Sequence, residues 1–191
     1  MKFAGLITGI TSALMVFFGF FTSNAAVNKM LPIQGQWIED GGALRGGLAR
    51  SRVSIRDFRF VQSGKAATER WVFEFGDKDF KPLLGEAGYY QVELKDIPGS
   101  TDQEKQSQIV INFGQVLNSK IDPLTFKDKM KGSHLFRSVR VEFDRSNQSM
   151  NFIFDLKTKV KVRASGVADP KKPGRLFVDL VPVKAKKSNV K

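Results

Sequence analysis

The chain has no cysteine and a single histidine, His134. The first absence excludes a disulfide framework, a thiolate zinc cluster, a cysteine nucleophile and a lipidated cysteine anchor. The second excludes a catalytic metal site built from several histidines. Acidic residues are scarce, 19 Asp+Glu against 31 Lys+Arg in 191 residues, for a formal net charge of +12. Apolar residues make up 41% and charged residues 26%, which fits neither a disordered tail nor a multi-pass membrane protein. What is present is a basic globular chain with the composition of a binding protein.

Lys2 precedes an uncharged, apolar or small stretch from Phe3 to Phe21. Ser23-Asn24-Ala25 then occupies the positions a signal peptidase reads. Residues 1–26 are expected to be a secretory signal peptide. The stretch also approaches the ~20 residues needed to span a bilayer, so a retained membrane anchor is the other reading. Both place the chain outside the cytoplasm, in the periplasm or cell envelope. There the basic surplus is not expected to meet nucleic acid. The anionic neighbours of an exported bacterial chain are wall carboxylates, lipid head groups and lipopolysaccharide phosphates.

Residues 27–52 contain Gly35, Gly41, Gly42, Gly46 and Gly47 and show no apolar period; they are expected to form a flexible arm. Trp37, its large aromatic, is either a strap onto the domain or a docking anchor. From Val53 the apolar pattern has period two, the mark of strands. Runs occur over Ile55 to Phe60, Trp71 to Phe75, Tyr90 to Leu94, Ile109 to Phe113, Val139 to Phe143, Phe152 to Leu156, Val160 to Val162 and Leu176 to Leu180. Apolar parity switches between Ile55 and Phe58, which predicts a β-bulge. Turn signals stand at Ser63-Gly64, Pro98-Gly99, Ser146-Asn147 and Pro173-Gly174, and a short helix is predicted near Pro123. The fold class is therefore all-β: a sandwich of two small sheets with one short helix at most.

The chain also resembles itself. Trp71-Val72-Phe73-Glu74-Phe75 echoes Phe152-Ile153-Phe154-Asp155-Leu156, and Tyr90-Gln91-Val92-Glu93-Leu94 echoes Leu176-Phe177-Val178-Asp179-Leu180. Duplication of one β unit would make the two sheets internally related. Chance alternation in a β-rich sequence is the competing account.

From Lys157 to Lys191 there are 11 Lys+Arg and two acids, Asp169 and Asp179. Lys157, Lys159, Lys161 and Arg163 alternate, so on one strand they would project from one face about 6.6 Å apart. That row is either an anion-binding surface or a solvated edge blunted against aggregation. Residues 184–191 add a basic tail. Arg175, after Pro173-Gly174, is positioned to fork onto a carboxylate or phosphate; its structural alternative is a pair with Asp179 or a turn carbonyl. No catalytic residue, metal ligand or cofactor site is predicted. His134 has no acid–His–nucleophile spacing around it, and the acid pairs Asp77/Asp79 and Glu142/Asp144 sit at strand ends or turns.

The alternation, the doubling and the C-terminal strand together resemble the AMIN domain of exported N-acetylmuramoyl-L-alanine amidases and type IV pilus secretins. The likeness spans residues 53–183. It is carried by Ser138-Val139-Arg140-Val141, by Phe152-Ile153-Phe154-Asp155-Leu156-Lys157, and by Gly174-Arg175-Leu176-Phe177-Val178-Asp179-Leu180-Val181-Pro182. Thr68-Glu69-Arg70-Trp71-Val72-Phe73-Glu74 is similar in the first half. The resemblance implies two related sheets that bind peptidoglycan and localise proteins to the envelope. Arg70 and Arg175 stand where the family often has Arg, whereas Tyr89 and Asn151 depart from that pattern. No zinc hydrolase or secretin region follows in this sequence, so amidase activity is not carried over. The expected partner is peptidoglycan or another anionic envelope polymer, met by Lys157, Lys159, Lys161, Arg163, Arg175 and Arg70, with Tyr89 covering a sugar face. The alternative partner is an envelope protein (amidase, secretin or division machinery) bound through a sheet edge or the arm. A membrane is expected as partner only if the N-terminal segment stays uncleaved.

Overall fold

In a strand, alternate side chains point to opposite faces, so the apolar parity of each run selects the face that is buried. The computed structural model describes residues 36–49, 51–63, 68–85, 87–97, 106–167 and 169–183. The expected signal peptide, the first part of the arm, Gly64, Pro98-Gly99 and the basic tail lie outside the described residues. The elements are β1 (Gly42–Gly46), β2 (Val53–Ser63), β3 (Thr68–Gly76), β4 (Tyr90–Asp96), β5 (Ser107–Phe113), β6 (Val116–Ser119), α1 (Pro123–Met130), β7 (Phe136–Asp144), β8 (Ser149–Leu156), β9 (Val160–Val167) and β10 (Arg175–Pro182). They form two five-stranded sheets, β1-β4-β5-β8-β7 and β6-β2-β3-β10-β9. The expected all-β sandwich is the observed architecture.

The core is aromatic. Trp71 stacks on Phe154 with ring centroids 4.2 Å apart, and Phe73 meets Phe113 and Phe152 at 5.0 Å each. All five are fully buried. Burying each such ring removes 150–250 Å² from water, and the tilted and edge contacts add to that area term. Tyr90 reaches across the sandwich to the backbone at Gly166. A Cβ on Gly46 would lie 2.4 Å from its hydroxyl, so that position admits only glycine without rearrangement.

Helix α1 closes one side of the sandwich. Its N-cap Asp122 accepts the N–H of Thr125 at 2.7 Å and Pro123 opens the first turn, where its missing N–H costs nothing. Phe126 then inserts between Phe58 (4.6 Å) and Phe152 (5.0 Å), one from each sheet. The bulge foreseen in β2 lies between Ile55 and Asp57, with Arg56 as the extra residue. A second bulge, not foreseen, lies between Phe136 and Ser138 in β7, with Arg137 as the extra residue.

Three expectations are corrected. The Gly-rich stretch 27–52 is not an arm over its second half: β1 pairs with β4, and Ile38 exchanges backbone bonds of 2.8 and 2.9 Å with Val162. Sheet pairing there comes from partners distant in sequence, which a local period cannot report. Lys157, Lys159, Lys161 and Arg163 do not share one strand, because β9 begins only at Val160 and Lys157 lies in the preceding bend. The second self-echo is mispaired. Strands β2–β5 and β7–β10 follow the same path: each gives its first hairpin to one sheet and its second to the other, and the inner strands β3·β10 and β5·β8 pair. The equivalents are thus β3 with β8, as the first echo has it, but β4 with β9 and β5 with β10. The acid that made β4 and β10 look alike faces outwards in both and carries no topological information.

Truncating Phe126 to Ala should cost about 3–5 kcal/mol, read as a lower urea midpoint. Leu124→Ala on the same helix, where the side chain is 74% exposed, should stay within about 0.5 kcal/mol of wild type.

Candidate functional site

The outer face of the β6-β2-β3-β10-β9 sheet is where the charge collects. Register places Arg70, Asp179 and Arg163 in one row across β3, β10 and β9. Arg70 donates through Nε (2.6 Å) and Nη2 (3.0 Å) to the two oxygens of Asp179, and Arg163 donates through Nη2 at 2.7 Å to Oδ2. Burial by itself would raise the Asp179 carboxyl, but the hydrogen bonds from Arg70 and Arg163 outweigh it and hold the group below its ordinary value of 3.8. A second charged row lies two same-face steps along, beyond Val72 and Phe177. Glu74, buried on this outer face, takes Arg175 at 2.8 Å and Arg56 from the bulge, with Arg59 at 3.9 Å.

Residues 37–40 run along the free side of β9 and complete the surface. Antiparallel pairing at Ile38 and Val162 sets Trp37 opposite Arg163 and Glu39 opposite Lys161. The Arg163 guanidinium sits 4.7 Å from the Trp37 ring centroid, and Lys161 reaches Glu39 at 2.7 Å. Lys159 pairs with Asp40, which holds the Asp40 carboxyl below its ordinary range. Trp37 is thus a strap, and the segment carrying it brings the acids that meet the lysines.

Between these groups lies a groove of about 470 Å³ walled by Trp37, Val61 and Val181, with Arg70, Arg163 and Asp179 on its floor. Trp37 and Val61 stay 37% and 55% exposed. Two nitrogens of each guanidinium are committed to Asp179, which leaves Nη1 of both arginines to donate elsewhere. Two guanidiniums and one carboxylate leave one net positive charge. An apolar wall beside forked planar donors suits a ligand with both carbon faces and polar edges, such as a sugar bearing a carboxylate.

The sequence-predicted residues fall into separate places. Arg70 and Arg163 come together at the groove. Arg175 belongs to the neighbouring row and pairs with Glu74, not with Asp179 four residues on, since that spacing along a strand spans about 13 Å. Lys161 and Lys159 lie beyond the groove on paired acids. Lys157 and Lys159 line a different concavity of about 430 Å³ with Glu39, Asp40, Asp96 and Arg137, where both signs of charge mix. Tyr89 is half-buried beside Gly114 and does not line the groove. Trp37 was visible as a lone aromatic, but its partner Arg163 was not. Glu39, Asp40 and Glu74 went unassigned, because strand register rather than spacing brings them to their cations.

Three further acids have structural roles. Asp77 accepts the N–H groups of Asp79 and Lys81 at 2.9 Å each, and Asp144 accepts those of Ser146 and Asn147, so both shape turns. Glu69 is buried in the sandwich and accepts the hydroxyl of Ser133 at 2.6 Å, pinning the loop before β7. Among the described residues no group of three or more His, Asp or Glu is placed to hold a metal ion, and no helix is long and apolar enough to cross a membrane. No protein-family model matches the chain, and no curated protein sequence matches it either.

Replacing Asp179 with Asn should lower stability by about 1–3 kcal/mol at neutral pH, because two guanidiniums lose the negative charge and one of the two acceptor oxygens they share. Since the folded-state carboxyl titrates below 3.8, its contribution is fully present above that value and is lost as pH falls through the depressed folded value. The gap in urea midpoint between wild type and variant should therefore narrow on acidification below about pH 4. A gap constant with pH would contradict the assignment.

Proposed function

We propose that this chain is a non-catalytic wall-binding domain of the bacterial envelope, retained there by peptidoglycan as the AMIN-like pattern of its strands implies. The groove of Trp37, Val61, Arg70, Arg163 and Asp179 carries the reading. Its aromatic wall offers a face to a sugar ring. The free Nη1 groups of Arg70 and Arg163 offer donors to a carboxylate or amide on that sugar.

The mechanism differs from a row of free cations meeting a polyanion. Lys159, Lys161, Arg163, Arg175 and Arg70 each have an acid within ion-pair distance. A ligand carboxylate would compete with those acids, and exposed pairs contribute only about 0–1 kcal/mol each. Shape and stacking at one groove, with one net positive charge, support binding better than charge count. Export of the chain and its location in the envelope belong to the same proposal and rest on the Lys2-to-Ala26 pattern.

Purified sacculi should retain the wild-type protein at low salt and keep most of it as salt rises. Trp37→Ala should lose most of the retention, with circular dichroism unchanged. Lys157→Glu, outside the groove, should bind as wild type. Absence of retention at low salt would overturn wall binding, and equal retention of Trp37→Ala would overturn this groove as its site.

A further inference from the structure

A sandwich of two open sheets has four edges, and this one protects three of them. Strand β1 is five residues long and contains two glycines; β6 is four residues long; β9 is covered by the Ile38 bridge. Short or covered edges discourage pairing with another chain. The fourth edge, β7, is nine residues long; among the described residues β8 is its only strand partner, and helix α1 packs against it without adding a strand. Beyond the bulge at Arg137 it is regular through Asp144. It also carries apolar side chains along the core-facing parity. Val139 and Val141 are half-buried, and Phe143 is 45% exposed.

The sequence of β7 is complementary to itself when reversed about Val141. In an antiparallel pair of two copies centred there, Arg140 stands opposite Glu142 of the other copy and Glu142 opposite Arg140. Val139 meets Phe143 and Ser138 meets Asp144, each contact occurring twice. Directly opposed unlike charges and aromatic–β-branched pairs are the combinations that stabilise antiparallel strands. A shift of two residues one way sets Arg140 opposite Arg140; the other way sets Glu142 opposite Glu142, while Arg140 then meets Asp144, so only the register centred on Val141 opposes unlike charges without a like-charge contact. A one-residue shift sends each chain's polar face to the other's apolar face.

We propose that β7 is a self-pairing edge, and that two copies of this chain join through it in a two-fold antiparallel register centred on Val141. The two β1-β4-β5-β8-β7 sheets then continue as one sheet of ten strands. The contact is isologous and closes on itself, so it yields a dimer rather than a fibre. It leaves the outer groove at Trp37 free on both copies, since that groove belongs to the other sheet.

The test uses the protein expressed from its full sequence and analytical ultracentrifugation across a concentration series. Wild type should sediment as a dimer at the upper concentrations. Arg140→Glu alone and Glu142→Arg alone each place like charges in contact twice, and each should weaken dimerisation by roughly a hundredfold. Mixing the two single variants should restore the dimer, because each copy then opposes unlike charge, and the double variant Arg140→Glu/Glu142→Arg should dimerise alone. Glu142 is exposed, so its variant keeps the fold, checked by circular dichroism. A wild type that stays monomeric, single variants that dimerise as wild type, or a mixture that fails to restore the dimer would each overturn the proposal. Sacculus retention is read separately and does not depend on the outcome.

Discussion

The contact between Trp71 and Phe73 on one sheet and Phe154, Phe152 and Phe113 on the other is the interaction on which the remaining structure depends. Neither sheet has another face to bury: their outer faces carry the charged and amide rows. The chain has no disulfide to hold the layers together. Aromatic rings meeting at an angle fill the space between two twisted sheets with few side chains per strand. Helix α1 exists because this layer would otherwise be open to water between Phe58 and Phe152, and one Phe126 closes it.

With the interior apolar, the excess of cations must be managed on the outside. Buried carboxylates do this. Glu74 gathers Arg175 and Arg56, with Arg59 further off, and Asp179 gathers Arg70 and Arg163. A carboxylate withdrawn from water is costly unless it is hydrogen-bonded by charged donors. Arg70 supplies two parallel bonds to the two oxygens of Asp179, and Arg163 adds its own to Oδ2. The result is a face that stays net positive but whose guanidiniums are held in fixed geometry by buried carboxylates.

The two halves of the chain carry this scheme at equivalent positions but with different residues. The acid opposite the bulge is Glu74 in one half and Asp155 in the other; the bulge residue is Arg56 or Arg137; the cross-strand partner is Arg175 or Gln108. Arg59 and Arg140 stand at 3.9 Å from their respective acids. The charged row two same-face steps away differs in kind. Arg70, Asp179 and Arg163 on one sheet correspond to Asn151, Asn112 and Gln91 on the other, where Asn112 donates to Asn151 at 2.7 Å. Loss of charge from that row leaves a neutral ladder, and the strap with Trp37 lies only over the charged one. Among the described residues, Trp37 and the charged row together form the groove on one sheet only.

Strand existence, face and fold class were legible in the residues, because period-two alternation reports directly which side of a strand meets the core. The helix start at Pro123 and the bulge after Ile55 were legible for the same reason: each disrupts a local pattern. Strands β1 and β6 were not, since Gly42–Gly46 and Val116–Ser119 show little alternation and form only where a partner strand supplies hydrogen bonds. The candidate site was half legible. Arg70, Arg163 and Trp37 could be named from their types, but what each one faces is a matter of register between segments more than a hundred residues apart in sequence. Sequence by itself determined which face of each regular strand meets the core and how many charges the chain carries. Tertiary structure alone decided which charge meets which, because ion pairing depends on distance across strands and sequence order does not encode that distance.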